Sequence, residues 1–313
     1  MWQPSDSITI PLGDWVQVFV RGWLVPNFRD FFRTIQWPVD QTLAGLDGVL
    51  NAMPMLAFAV ILSAIAWGTA GRGLAVFTFI ALTALDMIGV WSQTMTTLAM
   101  ILTAVVFCAL VGVPLGIAAA RSDRFAAVLR PILDIMQTIP PFVYLVPIVM
   151  LFGVGMTPGI IATIVFALPP IVRLTNLGLR SVPESLVEAA YAFGATRSQV
   201  LWDVQIPLAL RTIMAGLNQT LMLALSMAVI AALIGAGGLG LTVYTGLGRL
   251  DIGTATEGGI GIVLLAIILD RITQALGEEG RVRRSPSLLE TLKGFIRPGG
   301  TRTGNDDLRR PAR

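Results

Sequence analysis

The stretch Ser181–Pro207 reads SVPESLVEAAYAFGATRSQVLWDVQIP and lies between two strongly apolar runs. Ser181 and Glu184 have the Ser-x-x-Glu spacing of a reciprocal capping box. Pro183 suits a first helical turn, where its missing N–H would be unpaired anyway. The spacing predicts a short helix through Phe193, with Gly194 where a left-handed C-terminal cap is needed. Thr196 and Gln199 repeat the capping-box spacing and open a second short helix toward Pro207. A helix, a glycine hinge and a helix, flanked on both sides by membrane, make a compact unit that can dock on another protein.

The composition places this unit in a membrane protein. Of 313 residues, 55% are hydrophobic and 13% charged, with mean hydropathy +0.76; a soluble domain carries about 25% charged residues. The net charge of +3 and pI near 9.6 reflect basic residues dispersed between apolar runs, which is no nucleic-acid footprint. There is no histidine, hence no histidine general base, triad or metal site. The one cysteine, Cys108, sits in an apolar run and forms no intrachain disulfide. The single lysine, Lys293, follows no Gly-x-x-x-x-Gly, so the chain lacks a P-loop. No catalytic residues, metal site or bound cofactor is expected.

The N-terminal segment, 1–48, lacks the basic start and apolar core of a signal peptide. Its aromatic residues, among them Trp15, Phe19, Trp23, Phe28, Phe31 and Trp37, lie opposite Arg29, Asp30 and Arg33, and predict an amphipathic segment lying in the membrane interface. Seven spans are predicted, near 50–68, 74–91, 95–120, 140–153, 160–172 (broken by Pro169-Pro170), 213–234 and 260–269. A surface helix over 125–137 leads into the fourth, and a glycine-rich loop, 235–259, precedes the seventh. The fold class is therefore all-α and integral to the membrane, with about seven transmembrane helices. Residues 49–92 form two accessory spans, 93–274 the main transmembrane domain, and 275–313 a basic, disordered tail.

Arg72, Arg121, Arg124, Arg173, Arg180, Arg197 and Arg211 fall on one side of this arrangement, together with the basic tail. By the positive-inside rule that side is cytoplasmic. The N-terminus is then outside and the C-terminus and the 181–207 unit are inside.

The unit also resembles a known element. Glu188-Ala189-Ala190, three residues, Gly194, nine residues and Val204-Gln205-Ile206-Pro207 are similar to the EAA loop of bacterial ABC-importer permeases, with Val and Ile replacing Ile and Leu. Further stretches, Met136–Pro147, Phe166–Asn176, Asn218–Met227 and Ile234–Gly240, resemble the permeases of glycine betaine and proline betaine importers. The likeness covers most of residues 10–276 and fails in the tail. It implies the type I ABC-importer transmembrane fold, a homodimer of this chain, cytoplasmic ATPase subunits holding ATP and Mg, and an extracytoplasmic substrate-binding protein. It also implies residence in the bacterial inner membrane and uptake of a compatible solute under osmotic stress. Glu188, Ala189, Ala190, Gly194 and Pro207 would form the ATPase coupling site.

Within the spans, Asn218, Gln219, Thr220 and Ser226 are the polar candidates, either lining a pathway or joining helices. Gly235, Gly237, Gly238 and Gly240 are candidates for an outer mouth that meets the binding protein, the alternative being plain span termination. Asp86 is the one acid well inside a predicted span, but it stands five residues before Trp91, about 7.5 Å from the outer end at helical rise. Tryptophans cluster at predicted interfaces as an aromatic belt. An ion-coupled secondary transporter would want midplane acids and internal repeats, neither of which is seen. A related importer of another small solute, such as an amino acid, is the nearer alternative.

Overall fold

The computed structural model describes residues 12–278, which are helical with no strand among them. The basic tail expected over 275–313 lies almost wholly outside the described residues. The order is α1 (Leu12–Gln17), a π-helical stretch Val18–Leu24, α2 (Val25–Ala52), α3 (Met55–Ala70), α4 (Arg72–Ile88), α5 (Trp91–Arg121), α6 (Asp123–Thr138) and α7 (Pro141–Phe152). Then come α8 (Met156–Arg180), α9 (Glu184–Ala192), α10 (Arg197–Gln199), a π-helical turn Val200–Gln205, α11 (Ile206–Ala231), α12 (Leu239–Gly248) and α13 (Ile252–Glu278).

Helices stand at all seven expected positions. Among the described residues, four stretches, Trp91–Arg121, Met156–Arg180, Arg197–Ile234 and Ile252–Gly277, are long and apolar enough to cross a membrane alone, and six crossings result if each sharply bent pair counts as one. α3 and α4 have 16 and 17 residues, covering about 25 Å at helical rise, slightly less than the ~30 Å hydrocarbon core.

Several details depart from the sequence reading. The fifth span is not broken: α8 runs through Pro169 and Pro170, and both are buried. Prolines remove two backbone donors, and packing from both sides maintains the helix across the gap. The glycine-rich loop contains the ten-residue α12. The N-terminal segment does not end near residue 48. α2 continues to Ala52, burying Val39, Leu43 and Leu50 while Trp23, Phe31, Ile35 and Trp37 stay exposed. Asp40 of α2 accepts a hydrogen bond from the Thr157 hydroxyl of α8. Only at Met53-Pro54 does the chain turn, by 107°, because a residue preceding proline is pushed to extended backbone.

α8 packs most extensively against α11 and α5, which also touch each other. Small residues allow this close approach, as membrane interfaces require. A Cβ at Gly116 would lie 2.5 Å from the Thr175 Cβ, and one at Gly178 would lie 2.9 Å from the Thr212 Cβ. Cys108 of α5 is fully buried against α8, its thiol directed at the Ile164 carbonyl.

Candidate functional site

The 181–207 unit grows directly out of the central helices. α8 ends at Arg180, and Ser181 completes that helix rather than opening the next. Its amide donates to the Leu177 carbonyl and its hydroxyl to the Gly178 carbonyl, both at 2.9 Å. The expected Ser181–Glu184 capping box is therefore not formed. Val182 precedes a proline and is disfavoured in a helix, so α9 starts only at Glu184, with Pro183 as its cap and no side-chain cap bond. Glu184 still places an acidic group in the first turn, where the helix dipole favours it.

The other end of α9 follows the sequence reading closely. Gly194 has φ +84°, its amide donates to the Tyr191 carbonyl at 2.9 Å, and the Ala195 amide donates to the Ala190 carbonyl at 3.1 Å. These two bonds make a Schellman motif. The second capping box is complete: the Gln199 amide donates to the Thr196 hydroxyl at 3.4 Å, and the Thr196 amide donates to the Gln199 side-chain carbonyl at 2.8 Å. Val200 and Leu201 then bury into the base of the bundle, and α11 begins with Pro207 in its first turn.

Glu188, Ala189 and Gly194 are exposed, Ala190 is half-buried and Pro207 is exposed. Around them stand aromatic groups that the sequence reading left out of the site. Phe193 is 93% exposed and Trp202 61%, with Tyr191 and Leu186 also open. Large apolar side chains in a polar loop were the available signal. An exposed cluster of this kind marks a surface that is covered by something else.

The polar candidates of α11 divide into two groups. The Asn218 amide donates to the Asp270 carboxylate of α13 at 2.9 Å, and its carbonyl accepts from the Thr273 hydroxyl. Gln274 adds a second bond to Asp270 at 2.6 Å. The fully buried Thr220 donates to the Ala167 carbonyl of α8 at 3.0 Å, in the turn before the proline pair. Gln219 and Ser226 are instead exposed, the serine hydroxyl bonding only to the Met222 carbonyl of its own helix. They share one open stripe of α11 with Ala215 and Met222. Asp270 stands one residue beyond the seventh predicted span, 260–269.

Gly235, Gly237 and Gly238 lie in the turn joining α11 to α12, and Gly240 lies in the first turn of α12. The Leu239 amide donates to the Thr97 hydroxyl of α5 at 2.7 Å. A Cβ at Gly238 would lie 2.4 Å from that hydroxyl, and one at Gly240 2.1 Å from the Ala228 carbonyl. Gly237 is half-buried, while Gly235 is exposed at φ +85°. Asp86 is exposed in the last turns of α4. No group of three or more metal-ligating side chains comes together among the described residues.

Residues 112–279 match the family described as "Binding-protein-dependent transport system inner membrane component". The chain is 55% identical over 280 residues to the glycine betaine/proline betaine transport system permease protein ProW of Escherichia coli K12, covering 90% of this chain and 79% of that one. It is 45% identical over 265 residues to the glycine betaine transport system permease protein OpuAB of Bacillus subtilis, covering 85% of this chain and 94% of the relative. An inward-facing structure of the MetNI methionine ABC transporter superposes with TM-score 0.51 at 28% identity, covering 58% of this chain and 90% of that one. The family match spans more than half of the sequence, and the chain belongs to the inner-membrane components of binding-protein-dependent transport systems.

Proposed function

We propose that this chain is the permease of an ATP-driven importer of glycine betaine, proline betaine or a related quaternary-ammonium solute, and that Ser181–Pro207 is where it is driven. The observation that carries the reading is the capped α9–Gly194–α10 unit. It projects exposed Phe193 and Trp202 from helices α8 and α11, which are packed almost backbone to backbone. Such a unit is suited to receive a push on its exposed face. Glu188, Ala189, Ala190 and Gly194 meet the ATPase in this reading, and Pro207 fixes the return into α11. The chain itself binds no nucleotide; ATP and Mg belong to the ATPase subunits.

Two copies of the chain form the conduit, and the open α11 stripe carrying Gln219 and Ser226 faces it. An amide directed into lipid is costly, so a watery path or a second protomer is the more favourable neighbour. Asn218 and Thr220 act as helix fasteners. By the positive-inside rule the arginine distribution supports a cytoplasmic coupling unit and C-terminus, an N-terminus outside, and Gly235–Gly240 on the side served by the binding protein. α2 contributes an interfacial face through its exposed aromatics, α3 and α4 are accessory, and α5 to α13 form the transporting domain. Alternating access then follows. Closure of the ATPases moves the paired coupling units and opens the path outward, and hydrolysis returns it inward.

Co-purification tests the reading. A tagged chain is expected to bring down an ATPase, and proteoliposomes holding the complex are expected to accumulate radiolabelled glycine betaine only with ATP and binding protein. Accumulation by this chain alone, without nucleotide, would remove it.

A further inference from the structure

Arg180 is the last residue of α8, immediately before the coupling unit, and one guanidinium there reaches three separate elements. Its Nη1 pairs with the Asp123 carboxylate at the start of α6 at 2.7 Å. Its Nη2 donates to the Ala119 carbonyl near the end of α5 at 2.8 Å, and its Nε donates to the Asn176 side chain within α8 at 2.8 Å. The Ala119 carbonyl belongs to the last turn of α5, where no later residue of that helix supplies an amide. Arg173, seven residues earlier, pairs with Asp134 at the other end of α6 at 2.6 Å. α6 thus runs antiparallel to the final turns of α8, joined to it by two ion pairs whose acidic partners are exposed, Asp123 by 90% and Asp134 by 63%.

Apolar packing supplies part of this joint, with Leu133 of α6 buried in the cluster that holds Ile171, Val172 and Leu179 of α8. Between α5, α6 and α8 lies a cavity of about 360 Å³ lined by Ala119, Leu133, Val172, Asn176 and the two pinning arginines, among others. Over these same turns α8 is packed tightly against α5 at Gly116–Thr175 and against α11 at Gly178–Thr212, so the gap lies toward α6. An arginine suits the position, because its rigid fork serves partners in several directions at once, which a lysine ammonium on a flexible stem does not.

We propose that Arg180 is a positioning residue that joins α5, α6 and α8 into one body at the root of the coupling unit. Displacement of α9 is thereby delivered to α6, and past its 101° bend to α7, instead of being lost in flexing around residues 181–183. This rests on the coupling reading above, but the joint is measured separately from it.

Spin labels on cysteines at Ala127 of α6 and Ser185 of α9, both exposed, report the width of the distance distribution in lipid nanodiscs. Arg180→Gln is expected to broaden it roughly two-fold, as local opening replaces a fixed contact. Arg180→Lys, which keeps the pair with Asp123, should broaden it less. In the complete transporter, Arg180→Gln should lower solute imported per ATP hydrolysed about ten-fold, within the usual range of coupling between sites. ATPase binding should be unchanged. Equal widths in Arg180→Gln and the unaltered chain would overturn the proposal. Should that variant fail to fold, Asp123→Asn, which removes the carboxylate partner and leaves the arginine, decides by the same comparison. Failure of the unaltered chain to retain an ATPase would overturn the coupling reading instead, and leaves the width measurement standing.

Discussion

Replacing Gly194 separates backbone strain from steric blockade. The residue holds φ +84°, and no atom lies within 4 Å of where its Cβ would stand. Gly194→Ala therefore meets nothing in the chain, and its cost is conformational alone. A left-handed backbone disfavours an L residue by about 1–2 kcal/mol. That corresponds to a factor of about 5–30 in the population of the Schellman turn. Asparagine visits this region more readily, so Gly194→Asn should lose less. Gly194→Arg carries the alanine strain and also projects a long side chain from an exposed turn, where the ATPase is proposed to sit. The assays are membrane insertion, titrated ATPase capture and solute uptake. Insertion is expected to be unchanged in all three. Capture should weaken about 5–30-fold in Gly194→Ala, less in Gly194→Asn, and uptake should be abolished in Gly194→Arg. Wild-type capture by Gly194→Ala would show that the left-handed turn is not what orders α9. Normal uptake by Gly194→Arg would remove the hinge from the interface altogether.

Phe193→Ala should leave thermal stability within about 0.5 kcal/mol, because the ring is exposed. ATPase affinity should nevertheless fall about ten-fold, as for an aromatic anchor; an unchanged affinity in a capture titration would place Phe193 off the interface. Asn218→Ala removes the bond from α11 to the Asp270 carboxylate, which keeps Gln274, and the bond to the Thr273 hydroxyl, which keeps the Leu269 carbonyl, at a cost of about 1–3 kcal/mol. The Asn218→Ala/Asp270→Ala double variant should melt above the sum of the single losses, and strict additivity would show that the pair does not join α11 to α13. Gln219→Leu should reduce uptake without lowering the melting temperature; a lower melting temperature with normal uptake would identify Gln219 as a packing residue.

Local chemistry was the legible part of this sequence. The Thr196–Gln199 box and the Gly194 cap were readable because each needs only residues within a few positions, and both form. The Ser181–Glu184 box has the right spacing yet fails, because Ser181 is claimed by the end of α8 and Pro183 holds Val182 out of the helix. The proline pair at 169–170 was read as a break for a related reason. Proline's effect on its own helix is local, whereas the packing from α5 and α11 that holds α8 together is not. Asn218 and Gln219 are neighbours with equal polarity, and nothing in their order shows that one meets Asp270, 52 positions away, while the other stays open. Arg180 looked like an ordinary cytoplasmic charge, since its bonds to Ala119 and Asp123 span about 60 positions of chain. Phe193 and Trp202 were visible as apolar residues in a polar loop, and only the fold shows them standing outward together.

The burial of Cys108 has a practical side. Its thiol sits at zero accessibility between α5 and α8, and the chain has no other. Maleimide reagents applied from either face of an intact bilayer should find almost nothing to alkylate. The natural protein is thus a silent background for site-directed labelling, and any fluorophore or cross-link it acquires reports the position chosen by the experimenter.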